Sequence, residues 1–250
     1  MRARRILIGA SRFDDADGAL RLAMLLAART ESEVRGIFVE EQEYLDLAAA
    51  PATRAVTPGG RPLAPPTVPE VRARLAADAR AFEAALAQAA GQALRRWSFE
   101  RAQGRLLSIL RRAALPGDLL LIGHARRPAP GAVVLVAGAA GPGRFARDTA
   151  RAVAAALDAP VLVALVGAGS AAGHLPGNIE TFSGPEALLR RLDRLSVAAV
   201  VLDRSGAPFA ADRELRRLIG AARCPAVLVG GDDTSEPDAG HAGARDAEAE

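Results

Sequence analysis

Apolar residues fall along this chain in two rhythms, as short runs and as longer stretches in which they return every three or four positions. The short runs are bounded by glycine, proline or polar residues and read as strands. They are Arg5 to Ala10, Val34 to Val39, Trp97 to Arg101, Leu119 to Ile122, Val133 to Val136, Val161 to Val166, Asn178 to Phe182, Val197 to Leu202 and Ala226 to Val229. The periodic stretches read as amphipathic helices. One runs from about Ala16 to Arg29, with Leu20, Ala23, Met24 and Ala27 inward and Asp14, Asp15 and Asp17 near its positive end. A long one starts at Pro69-Glu70 and continues to about Arg95 on a stripe of Val71, Leu75, Phe82, Leu86 and Leu94. Leu106, Leu107, Ile109, Leu110 and Ala113 make the next stripe, with Arg105, Arg111 and Arg112 outside it and a stop at Pro116-Gly117. Later helices span about Arg144 to Leu157 and Arg213 to Ala222. Between them lies one carrying Leu188, Leu189, Leu192 and Leu195, opened by Ser183-Gly184-Pro185-Glu186 at capping-box spacing. Pro51 to Pro69 is a proline- and glycine-rich loop, long enough to be mobile or functional.

Strands as uniformly apolar as Leu119 to Ile122 are buried on both faces, which belongs to a parallel sheet covered by helices on each side. Strands alternating with helices therefore predict a Rossmann-like α/β fold, a three-layer α/β/α sandwich with right-handed crossovers. After Arg126-Arg127-Pro128 the whole pattern begins again. Residues 1–128 read as a first copy without its last helix and strand, and residues 129–231 as a second copy without the long second helix. Residues 232–250, highly charged and without apolar periodicity, are expected to be a disordered acidic tail. Duplication would pair two incomplete sheets into one body.

Half of the 250 residues are apolar but only 4% are aromatic, so the core should be built from small aliphatic side chains. All 32 basic residues are arginine. The net charge of +3 hides an asymmetry, because residues 232–250 hold seven acids and one arginine, a net of −6. The preceding 231 residues therefore carry +9. A single cysteine, Cys224, excludes an internal disulfide and fits a reducing compartment. The apolar run after the basic MRARR is too short for a signal peptide, and Ala159 to Ile179 is interrupted by prolines and glycines. A cytoplasmic protein with no membrane partner is expected.

RILIGAS, GALRLAMLLA, EVRGIFVEE, the long helix and FERAQG…ILRRAALPGDLLLIGHA resemble a universal stress protein domain. AVVLVAG, TARAVAAALDAPVLVALV and ELRRLIGAARCPAVLVGG resemble it again, so the likeness covers nearly all of Arg5 to Gly231 in a tandem arrangement. It implies the sandwich of the adenine nucleotide alpha hydrolase-like group. ATP-binding members of the family carry an aspartate after the first strand and a loop of the form G-x2-G-x9-G-[ST] after the fourth. Here Ser11 takes the aspartate's place, with Gly138 or Ala139 in the second copy. Gly123-His124-Ala125-Arg126 and Asp203-Arg204-Ser205-Gly206 follow the fourth strands without the further glycines. Such glycines let backbone N–H groups approach phosphates. The resemblance thus implies a degenerate member that binds no ATP in the family manner, a regulatory or interaction module with no cofactor rather than an enzyme. The family's last strand takes part in dimer pairing, so Ala226 to Val229 is expected to make either an intramolecular pseudo-dimer or a homodimer.

In a doubly wound sheet, ligands bind beyond the carboxyl ends of strands where the strand order reverses. That rule nominates Ser11, Val39, Gly123, His124, Arg126 and Arg127 as a site for a nucleotide or other small anion. A hydrolytic variant would pair Ser11 and His124 with Asp14, Asp15 or Asp17. Gly138, Gly141, Gly143 and Arg144 form a second candidate, a glycine-rich turn at a helix N-terminus where an anion could sit. Three histidines and one cysteine are too scattered for a metal site by spacing. The arginine clusters lack interleaved aromatics, which argues against nucleic acid as a partner. The partner is then a second copy or another protein.

Overall fold

The computed structural model describes residues 5–50, 55–56, 62–125, 130–167, 178–204, 209 and 211–230. The first half contains β1 (Arg5–Ala10), α1 (Phe13–Thr30), β2 (Glu33–Glu40), α2 (Gln42–Ala49) and a minimal antiparallel pair, β3 (Ala55–Val56) with β4 (Pro62–Leu63). It continues with α3 (Val68–Gln92), β5 (Trp97–Gln103), α4 (Leu106–Ala113) and β6 (Leu119–Ile122). The second half contains β7 (Ala132–Gly138), α5 (Arg144–Leu157), β8 (Val161–Val166), β9 (Asn178–Phe182), α6 (Pro185–Leu192), β10 (Val197–Asp203), α7 (Asp212–Ala222) and β11 (Ala226–Val229). The long helix starts where chemistry says it should. Thr67 accepts from the Glu70 N–H while the Glu70 carboxylate accepts from the Thr67 N–H, closing both orphan donors.

All strands but β3 and β4 form one nine-stranded sheet in the order β5-β2-β1-β6-β11-β10-β7-β8-β9. Numbered within each half, the order third–second–first–fourth holds on both sides, with β11 added in the middle. The sheet departs from the expected all-parallel pattern at one place: β11 runs antiparallel to β6, pairing Ala226 with Ile122, Val227 with Leu121 and Leu228 with Leu120. The carboxyl ends of the two sets of strands therefore open at opposite ends of the sheet.

Period-two alternation divides the core into two layers. Ile6, Ile8, Phe38, Leu121, Val133, Leu135, Val201 and Val227 face α1, α3 and α5. Leu7, Ile37, Leu120, Ile122, Val134, Val136, Leu202 and Leu228 face α4, α6 and α7. The core is aliphatic, with Phe38, Phe82 and Phe209 its fully buried aromatic side chains among the described residues. Where α4 crosses β1 the packing is tight enough that a Cβ on Gly9 would lie 2.4 Å from Leu110.

Four expectations need correction. Leu94, expected on the inner stripe of the long helix, lies past the helix end at Gln92 and is exposed. The α2 helix is absent from the apolar-stripe reading, because it is only eight residues long and its apolar positions, Tyr44, Leu45, Leu47, Ala48 and Ala49, bury no side chain fully. The Ser183–Glu186 capping box does not form: the helix begins at Pro185 with Gly184 as N-cap, and Glu186 turns to Arg217 instead. Both edges of Ala226–Val229 are hydrogen-bonded within the chain, to β10 and to β6, so of the two expected arrangements the strand makes the intramolecular pairing, and the homodimer has no free edge there. The acidic residues 232–250 and the linker Arg126-Arg127-Pro128 lie outside the described residues.

Candidate functional site

The first reversal of strand order lies between β1 and β6. Beyond their carboxyl ends is an open crevice of ≈ 230 Å³, lined by residues that include Ser11, Asp15, Glu41, Tyr44, Gly123, His124 and Arg216. Of the residues nominated from sequence, Ser11, Gly123 and His124 come together here. Val39 does not, because its side chain points into the α4 layer of the core and is fully buried. Arg126 and Arg127 lie outside the described residues.

Gly123 is where the end of β6 slides beneath α1, and a Cβ there would lie 1.4 Å from the Asp15 carbonyl oxygen. That close approach delivers the following backbone to the first turn of α1. The Ala125 N–H donates to the Asp15 carboxylate. Burial pushes the Asp15 carboxyl above its ordinary value, with Arg12, His124 and this hydrogen bond pulling the other way. His124 and Asp15 thus attract each other across the mouth of the crevice.

The opposite wall belongs to Glu41, buried at the carboxyl end of β2. Its Oε1 accepts from the Leu106 N–H at 3.2 Å, filling the N-terminus of α4, and from Arg216 Nη2 at 3.2 Å. Arg216 reaches in from α7 of the other half and also approaches Glu43 at 3.5 Å. Tyr44 completes this wall, its phenol held above its usual value first by burial and then by Glu41.

The second reversal, between β7 and β10, is closed by similar means. Gly141, with φ 86°, turns the chain and donates to the Gly138 carbonyl at 2.9 Å. The Gly143 N–H at the start of α5 donates to Asp203 Oδ2 at 2.6 Å, and Asp203 is buried. Arg144 points to solvent with Asp148 3.9 Å away. The nominated anion turn therefore already holds an anion, and it is the chain's own carboxylate.

The two halves close their switch points with reversed roles. In the first, the acid comes from the helix after the first strand and the N–H from the loop after the fourth. In the second, the acid ends the fourth strand and the N–H opens the helix. Glu41, Tyr44 and Arg216 are not nominated from sequence, and Asp203 reads there only as the start of the loop after the second copy's fourth strand. A legible signal existed for Glu41, an acid pair closing a strand in GIFVEE. None existed for Arg216, which lies 175 positions away from Glu41. Among the described residues, no three histidine, cysteine or acidic side chains gather as a metal site.

No family model matches the chain. No curated protein matches it either. Solved structures do. A universal stress protein from Archaeoglobus fulgidus DSM 4304 aligns with 93% of this chain and 98% of its own at 11% identity, TM-score 0.48. A functionally unknown protein from Pseudomonas aeruginosa PAO1 aligns over 92% and 94% at 15% identity, TM-score 0.51. The second likeness, at TM-score 0.51 and 15% identity, speaks to the fold alone, and a fold does not fix a function.

Proposed function

We propose that the chain is a universal stress protein-like regulatory or interaction module, built from two degenerate tandem copies, that binds no ATP in the family manner. One observation carries this reading: at both switch points, the backbone N–H groups placed to hold a phosphate are engaged by resident carboxylates. Asp15 takes Ala125, Glu41 takes Leu106 and Asp203 takes Gly143. A phosphate entering there would have to displace a charge of its own sign. The first crevice, at ≈ 230 Å³, is also smaller than the roughly 300–1,000 Å³ of ordinary ligand pockets. The shared strand order of the two halves supports the duplication, and the buried thiol of Cys224 suits a cytoplasmic location.

Thermal unfolding with ATP, ADP, AMP and cyclic nucleotides at millimolar concentration tests the reading. A ligand bound only to the folded state at 100 times its Kd would add about 2.7 kcal/mol, a plain rise in Tm. No rise is expected, and a rise with any nucleotide overturns the proposal. A second reading, a small-ligand sensor in the first crevice, draws on the convergence of Ser11, Gly123 and His124. It requires that a stabilising ligand be found and that His124→Ala abolish the stabilisation.

A further inference from the structure

Between α2, α4 and α7 the surface opens into a groove of ≈ 440 Å³ lined by Glu43, Arg105, Asp212, Arg213, Arg216 and Arg217. Every lining residue is charged, which suits an ionic occupant. Four arginines face two carboxylates. Arg216 is spent on Glu41 and Glu43, and Arg217 holds both oxygens of Glu186 at 2.6 and 2.8 Å. The side chains of Arg105 and Arg213 form no hydrogen bond or ion pair among the described residues. With Asp212 paired to Arg111 as well, Arg105 and Arg213 are the two lining arginines that no described carboxylate engages. By contrast Arg74, on the exposed side of α3, is already paired with Asp78.

We propose that the acidic residues 232–250 of this same chain dock in this groove. Charge supplies the first argument: seven carboxylates and one arginine meet a body of net +9 whose concave arginine surface is incompletely neutralised. Topology supplies the second. The helix α7 runs back from the carboxyl end of β10 to the start of β11, so Gly230 emerges at the end of the sheet where α7 begins. There the Arg204 N–H donates to the Val229 carbonyl, and Arg213 is the second residue of the helix. Reach supplies the third. Twenty residues of chain can reach about 25 Å without being fully extended, while the 11 residues of α7 extend about 16 Å. The groove lies within reach along its whole length. Distributed carboxylates would hold through many screened contacts of modest strength, which salt weakens.

Paramagnetic labelling of the full chain tests this. Cys224 is buried, with its thiol pushed up to about 12, so a cysteine introduced by Ala242→Cys is the site that a spin label will take. The amide signals of Arg105, Arg213, Arg216 and Arg217 are expected to lose intensity in the oxidised label and to recover in 1 M salt. They should also recover when the seven acids of 232–250 are changed to their amides, or in Arg105→Glu with Arg213→Glu. Three outcomes overturn the proposal: no loss at these amides, loss that persists after both arginines are reversed, or equal loss over the arginines of α3. Loss seen only when labelled and isotope-enriched chains are mixed assigns the contact to a second copy and also overturns it. None of these readouts depends on whether the crevice binds a nucleotide.

Discussion

At the scale of single residues, two positions at the first switch point respond to different forces. Gly123 answers to space. An added methyl would sit 1.4 Å from a backbone oxygen of α1, which no rotamer change can relieve. Gly123→Ala should lower the unfolding free energy by upwards of about 3 kcal/mol in urea titration, and a loss near zero would mean that α1 and β6 are not held in this register. Asp15 answers to charge. Because burial raises its carboxyl value in the folded chain, the folded state binds that proton more tightly than the unfolded state does. Its contribution to stability therefore falls as pH rises from the unfolded carboxyl range through the raised folded value, and stays lower above it. Asp15→Asn keeps an acceptor for the Ala125 N–H without the charge. Its urea midpoint should exceed that of the parent chain at neutral pH and lose the advantage on acidification, whereas a constant difference across pH would show that the charge is not the cause.

The element scale turns on how helices are started. Thr67 and Glu70 start α3 locally, within four residues of sequence. The starts of α4 and α5 are instead completed from a distance, by Glu41 at the end of β2 and Asp203 at the end of β10. Asp203→Ala should cost about 1–2 kcal/mol, the usual price of a lost N-terminal cap. It should also leave the Gly143 N–H open to a free anion, so that added phosphate raises the Tm of the variant more than that of the parent. Equal responses would show that the carboxylate is not filling an anion position. The contrast also explains what could be read from sequence at this scale. Stripes such as Leu106, Leu107 and Leu110 announce a helix, but they carry no record of which distant acid will close its first turn.

For the molecule as a whole, the decisive contact is β6 on β11. Their apolar residues pair across the seam between the halves and are almost wholly buried. Neither half should then persist once the other has melted. Trp97 is the protein's sole tryptophan and lies on β5, the outermost strand of the first half, far from β11 in the sheet. Its fluorescence and the far-UV circular dichroism should follow one urea transition, with Leu228→Pro moving both together by removing a ladder donor from a central strand. Two separated transitions would disprove a single cooperative body.

Sequence alone determined the local outcome here. Runs of apolar residues bounded by turns specify strands, recurring stripes specify helices, and their alternation specifies a layered α/β body, because these depend on neighbours within a few residues. Tertiary structure decided what depends on partners far along the chain: the antiparallel seam, the removal of Val39 into the core, and the meeting of Arg216 with Glu41. Strand edges and buried carboxylates must find hydrogen bonds somewhere, and only the assembled sheet determines which of the available partners is within reach.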